Sequence, residues 1–132
     1  MPPYPPAIIV HGLDHAHAAL AGGGPVTLLS APGAGAYAGC GWWRAVMRAA
    51  RQAHPGLDFP DILDCGDAPG RALAALRAGQ ALLVLTCAPV IWADIAGRAV
   101  RQGATLLAVP PPALDLAKPG ATQQLRAWIA QE

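Results

Sequence analysis

Residues 79–89 read Gly79-Gln80-Ala81-Leu82-Leu83-Val84-Leu85-Thr86-Cys87-Ala88-Pro89. Glycine is favoured where a helix stops, the apolar run has the length of a strand, and proline is favoured in the first turn of a helix. The same order recurs from Gly24 to Pro32 and from Gly103 to Pro110. Continuous apolar strands that alternate with helices are typical of a parallel sheet covered on both faces.

Extending this pattern along the chain predicts five parallel strands, centred near Ile9, Leu28, Leu63, Val84 and Leu107. The segments between the strands are long enough for crossover helices. The sequence therefore predicts an α/β fold, a three-layer α/β/α domain with about five mostly parallel strands in Rossmann-like or flavodoxin-like order. The run around Leu63 is the most polar and is expected at an edge, which favours the order 3-2-1-4-5 over 2-1-3-4-5. A partial barrel is the weaker alternative, because full barrels need about 250 residues.

Composition limits the class of protein. The 132 residues fit one domain, residues 1–132, with residues 1–6 as an extended, proline-rich leader. Charged residues make up only 13% and the net charge is +1, which gives no general attraction to nucleic acid or to anionic membranes. Three cysteines cannot all pair within one chain, and no segment resembles a signal peptide or a membrane span. We therefore expect a cytoplasmic protein with reduced thiols.

A glycine-rich stretch follows the second predicted strand. Loops that follow the strands of a parallel sheet leave from one edge, where ligands bind. Glycines let the backbone approach an anion there, and helix N–H groups face it. The candidate ligand-binding residues are Ser30, Gly33, Gly35, Tyr37 and Gly39. Dinucleotide binding is a weaker alternative, since Gly33, Gly35 and Ala38 fit only a loose form of the motif, and a purely structural loop is the plain alternative.

Candidate catalytic residues follow other strands at the same edge; they are His11, Asp64, Cys65, Asp67 and Cys87. His11 is placed for acid–base chemistry, unless backbone groups satisfy it. Asp64 and Asp67 suit acid–base work or cation binding, although Asp67 also suits the N-cap of a helix at Pro69. The cysteines are reactive thiols if a helix N-terminus activates them, and inert if they are buried. The spacing of the cysteines matches no zinc module, so we predict no metal site, and the cofactor is unknown.

The sequence is compatible with two functions. The first is a small-molecule or anion-binding domain with its site at the carboxyl edge of the sheet; whether it is an enzyme stays open, because no complete catalytic motif is present. The second is a non-catalytic homo-oligomeric scaffold or subunit. The low charge and the tryptophans favour a two-fold homodimer that buries at least one tryptophan between chains, unless all four pack under their own helices. These tryptophans are Trp42, Trp43, Trp92 and Trp128.

Overall fold

The structure is a computed structural model, and it describes residues 3–131. Its strands are β1 (Ala7–Val10), β2 (Thr27–Ser30), β3 (Asp61–Asp64), β4 (Leu82–Val84), β5 (Thr105–Leu107) and β6 (Ala113–Asp115). Its helices are α1 (Leu13–Leu20), α2 (Ala34–Tyr37), α3 (Cys40–Ala53), α4 (Pro69–Arg77), α5 (Pro89–Arg101) and α6 (Ala121–Ile129). All five predicted strands occur, and every strand pair is parallel. The predicted α/β class and parallel sheet are therefore confirmed.

The glycine and proline signals mark the helix ends correctly. Helices α4 and α5 begin at Pro69 and Pro89. Gly79 and Gly103, just beyond their ends, have φ angles of 94° and 79°. A Cβ atom is strained in this left-handed region, so glycine there ends the helix at little cost. The sequence did not predict β6, which follows three prolines, or the short helix α2 within the glycine-rich stretch.

The strand order is β5-β4-β3-β2-β1-β6, which is neither the Rossmann-like nor the flavodoxin-like order. Consecutive strands are neighbours from β1 to β5, as they are in βα barrels. The prediction that the third strand lies at an edge is also wrong, since β3 lies between β2 and β4. Its two carboxylates accept local hydrogen bonds, Asp61 from Arg51 and Asp64 from the Gly66 N–H. Polar residues with such partners do not need a solvent-exposed strand.

The two faces of the sheet differ. The main core packs strand residues such as Leu28 and Leu63 against helix residues such as Trp43 and Ile95. The opposite face carries a smaller cluster around Leu29, Ile62 and Val84, to which no helical residue in the described part of the chain belongs. Successive right-handed crossovers that progress in one direction place their helices on the same side of a sheet. The order of β1 to β5 thus explains why the longer helices share one core.

The short connection from β5 to β6 requires a strongly curled sheet. The first and sixth strands of a flat sheet lie about 24 Å apart. The chain from Leu107 to Ala113 spans at most about 22 Å, and it must also return from the carboxyl end of one strand to the amino end of the other. The edge strands must therefore approach each other across the helix-free face, here called the concave face. This curvature accounts for the burial of Ile62, which is 0% exposed, without a helix above it.

The leader is held by β2. The Thr27 hydroxyl donates to the Pro5 carbonyl at 2.8 Å, and the Thr27 N–H donates to the Pro6 carbonyl at 2.9 Å. The first two residues of the leader lie outside the described residues. Between residues 3 and 131, none of the helices is both long enough and apolar enough to cross a membrane. The cytoplasmic location stays a prediction.

Candidate functional site

Three polar side chains lie at the carboxyl ends of strands on the concave face, and two of them, His11 and Asp115, are in contact. Asp64 and Asp115 each lie two residues beyond a member of the concave-face cluster, Ile62 and Ala113. Side chains alternate along a strand, so both carboxylates are on the concave face as well. His11 follows β1 and is hydrogen-bonded to Asp115. The carboxyl end of the curled sheet therefore carries two acids and an imidazole.

The central contact joins His11 to Asp115. Nε2 of His11 lies 2.8 Å from Oδ1 of Asp115, and the same oxygen accepts the Ala117 N–H at 2.9 Å. Burial raises the pKa of Asp115, but the hydrogen bond from Ala117 and the contact with His11 outweigh it, so this pKa lies below its ordinary value. Asp115 is therefore ionised at neutral pH and accepts the Nε2 proton of His11.

The other ring nitrogen of His11 is open. A neutral imidazole that donates from Nε2 has an unprotonated Nδ1. No residue between 3 and 131 forms a hydrogen bond with Nδ1 of His11, whereas the His11 backbone N–H donates to Nδ1 of His15 at 3.1 Å. A shallow cavity of about 350 Å³ lies beside His11 and is lined by His11, Gly12, Leu13, Asp14 and His15. This arrangement can accept a proton from a bound molecule.

The glycine-rich stretch packs against β3. A Cβ atom on Gly35 would lie 2.9 Å from the Cys65 sulfur and 3.1 Å from the Asp64 carbonyl oxygen, so only glycine permits this close approach. Gly33 and Gly39 have φ angles of 73° and 89°, which turn the chain on either side of α2. Tyr37 is 72% exposed. The cavities beside His11, along α3 and under the leader are not lined by residues 31–39.

Ser30 and Asp64 make local hydrogen bonds. The Ser30 hydroxyl accepts the Asp64 N–H at 2.9 Å, and this hydrogen bond connects β2 to β3. The same hydroxyl donates to the Ala31 carbonyl. Oδ1 of Asp64 accepts the Gly66 N–H at 2.8 Å. Asp67 is exposed, and Ala68 is the N-cap of α4 with no side-chain cap, so the predicted capping role of Asp67 is wrong. Within residues 3–131, no hydrogen bond or ion pair joins Asp67 to His11.

The cysteines differ in exposure. Cys65 is 0% exposed, and burial, Asp64 and Cys40 together raise its pKa to about 12. It is therefore a protonated thiol at neutral pH and a poor nucleophile. Cys87 is half-buried, with its sulfur 3.7 Å from the Ala88 carbonyl oxygen. In the part of the chain that the structure describes, no three side chains of His, Cys, Asp or Glu are grouped to hold a metal ion.

Sequence reasoning missed Asp115, although it is the partner of His11. The two residues are 104 positions apart, and Asp115 lies in the one strand that the pattern did not predict. Compared with known proteins, the chain matches no protein-family model and no curated protein.

Proposed function

We propose that this domain binds a small polar molecule at the carboxyl edge of its sheet and that His11 accepts a proton from it. The observation that carries this proposal is the 2.8 Å contact between Nε2 of His11 and Oδ1 of Asp115. A carboxylate in this position fixes the tautomer and the orientation of an imidazole. Its open Nδ1 is then the proton-accepting atom.

The charges at this edge favour a neutral or cationic ligand. Asp64 and Asp115 lie on the concave face, and Asp14 lines the cavity beside His11. Carboxylates repel an anion and attract hydroxyl and ammonium donors. The cavity volume of about 350 Å³ suits a small molecule, since ligand sites start near ~300 Å³. A hydroxyl-bearing or amine-bearing compound is the ligand class that fits.

A thermal-stability screen with polyols, sugars, amino acids and amines tests the proposal. A ligand raises the unfolding midpoint by mass action. The informative variant is His11→Gln, whose amide can still donate to Asp115 but has no basic nitrogen. The control is His54→Gln, which changes a histidine that pairs with His17 elsewhere in the fold. We expect a compound that stabilises the wild type and the control but not His11→Gln; equal stabilisation of all three proteins contradicts the proposal.

A homodimer is the second candidate, favoured by apolar side chains exposed on α5. Val90 is 83% exposed and Ile91 47%. Trp43 is fully buried in its own chain, and the other three tryptophans are partly buried against the same core. Trp92 lies next to Ile91 in the sequence and close to Val90, so it is the tryptophan that an interface on α5 would cover. Light scattering at micromolar concentrations tests this. A mass of 13.5 kDa at every concentration contradicts the dimer, and Val90→Lys should dissociate it.

A further inference from the structure

A second cleft lies at the opposite, amino-terminal edge of the sheet, between α3 and the end of α4. Its volume is about 360 Å³, and its lining includes Arg44, Arg48, Arg51, Asp61 and Gln80. The arginines are spaced by four and then three residues, which places them on one face of α3. The sequence shows nine basic residues that are spread along the chain, but the fold turns three of them toward one cleft.

The acid in this cleft is already engaged. Asp61 accepts hydrogen bonds from Nε1 of Trp43 at 2.7 Å, from Nη2 of Arg51 at 2.9 Å and from Nε2 of Gln80 at 2.9 Å. Arg51 also donates to the Phe59 carbonyl, and its guanidinium lies 4.5 Å from the centre of the Phe59 ring. Arg51 and Asp61 thus neutralise each other and form a fixed wall of the cleft.

The other two arginines have no such partner. Between residues 3 and 131, no ion pair or side-chain hydrogen bond involves Arg44 or Arg48. The Arg44 guanidinium lies beside Gly79, where an added Cβ would be 3.6 Å from Nη2, an ordinary van der Waals distance, so Arg44 packs on the turn that follows α4. Two positive charges therefore remain uncompensated in a cleft whose own carboxylate is satisfied.

We propose that this cleft binds a small molecule that carries a phosphate or diphosphate group. Guanidinium groups match the oxygens of phosphate in geometry and charge, and they bind it through paired hydrogen bonds. Arg44 and Arg48 supply these donors, and the buried Gln80, 2% exposed, lines the same cleft and is held there by hydrogen bonds to Asp61 of β3 and to the Leu82 carbonyl of β4. The net charge of the chain is only +1, which disfavours a long polyanion such as nucleic acid as the partner. This site is separate from His11 and does not depend on the function proposed for it.

Calorimetric titration with inorganic pyrophosphate tests this assignment on the wild type, on the double variant Arg44→Gln/Arg48→Gln, and on Arg126→Gln as a control. Arg126 is exposed on α6, outside the cleft. Loss of each guanidinium should weaken binding by roughly tenfold or more, because a hydrogen bond to a charged group is lost. The control should bind like the wild type. Without pyrophosphate all three proteins should unfold at nearly the same temperature, since among residues 3–131 none of the three replaced side chains has an ion-pair or hydrogen-bond partner.

Four results overturn the proposal. The first is absence of pyrophosphate binding by the wild type. The second is binding that persists in the double variant, which moves the anion elsewhere. The third is that sodium chloride at matched ionic strength raises the unfolding midpoint as much as pyrophosphate does, because screening of the repulsion between the arginines then explains the whole stabilisation. A short DNA duplex that binds more tightly than pyrophosphate, and through the same arginines, also contradicts a small-molecule site.

Discussion

The two ends of the sheet use their charged residues in different ways. At the carboxyl end, Asp64 is bonded to its own turn, and the pairing of His11 with Asp115 leaves one ring nitrogen open. At the amino end, Asp61 collects three side-chain donors, while Arg44 on the same cleft has no described partner. The carboxyl end therefore offers a base among acids, and the amino end offers cations. A side chain is therefore available for a ligand only where it is not already hydrogen-bonded within the fold.

Removal of the Asp61 carboxylate should have the largest effect. In Asp61→Ala, the buried Nε1 of Trp43 loses its acceptor and Arg51 loses its ion-pair partner. We expect the free energy of unfolding to fall by about 3 kcal/mol, measured by urea denaturation, because buried donors without partners are costly. The control is Asp94→Ala, which removes an exposed pair with Arg98 and should cost only a few tenths of a kcal/mol, about 0.3. Similar losses in both variants would contradict the account of the amino end.

The glycine-rich stretch gives the next largest effect. Gly35→Ala places a methyl group against the Cys65 sulfur and the Asp64 carbonyl, so we expect a loss of about 2 kcal/mol. Gly41→Ala, in the first turn of α3, meets nothing within 4 Å and should instead stabilise the protein by about 0.5 kcal/mol. Equal effects at the two positions would show that the stretch does not pack on β3 as described.

The contact at the carboxyl end should have a small, pH-dependent effect. The pKa of Asp115 is lower in the folded protein than in the unfolded chain, so its contribution to stability is present above the unfolded value of about 3.9 and is lost as the pH falls through the lower folded value. Asp115→Asn should therefore cost less than about 1 kcal/mol at pH 7, since the contact is partly exposed. The difference from the wild type should shrink below about pH 4, and denaturation at several pH values measures it. A loss that grows on acidification contradicts the sign, and Asp67→Asn serves as the control at the same edge.

Much of the fold was predictable, because glycine, proline and apolar runs report local structure. Strand order was not, since it depends on how the crossovers progress, and the polarity of Asp61 and Asp64 gave the wrong position for β3. Strand β6 was missed because three residues after a triple proline carry too little pattern. The curvature of the sheet follows only from the strand order together with the length of the β5–β6 connection.

The site was predictable only in part. His11 was found because it ends a strand, but its partner Asp115 is distant in sequence and enters through β6. The sequence predicts Gly35 as a ligand-binding residue, whereas in the structure its lack of a side chain allows close packing against Cys65. Arg44 and Arg48 follow an ordinary helical spacing, and only the fold, which brings Asp61 and Gln80 beside them, makes them line a cleft. The sequence shows the type of each residue, but it does not show the tertiary contacts that decide whether a side chain is already hydrogen-bonded.

Long-range proton–nitrogen NMR of the histidine rings tests the contact between His11 and Asp115 directly. At a pH where the imidazoles are neutral, we expect His11 in a single tautomer with its proton on Nε2, and that proton protected from exchange by Asp115. Asp115→Ala should remove this protection and leave the signals of the His17–His54 pair unchanged. A proton on Nδ1 of His11, or a spectrum that Asp115→Ala does not alter, would show that His11 does not donate to Asp115.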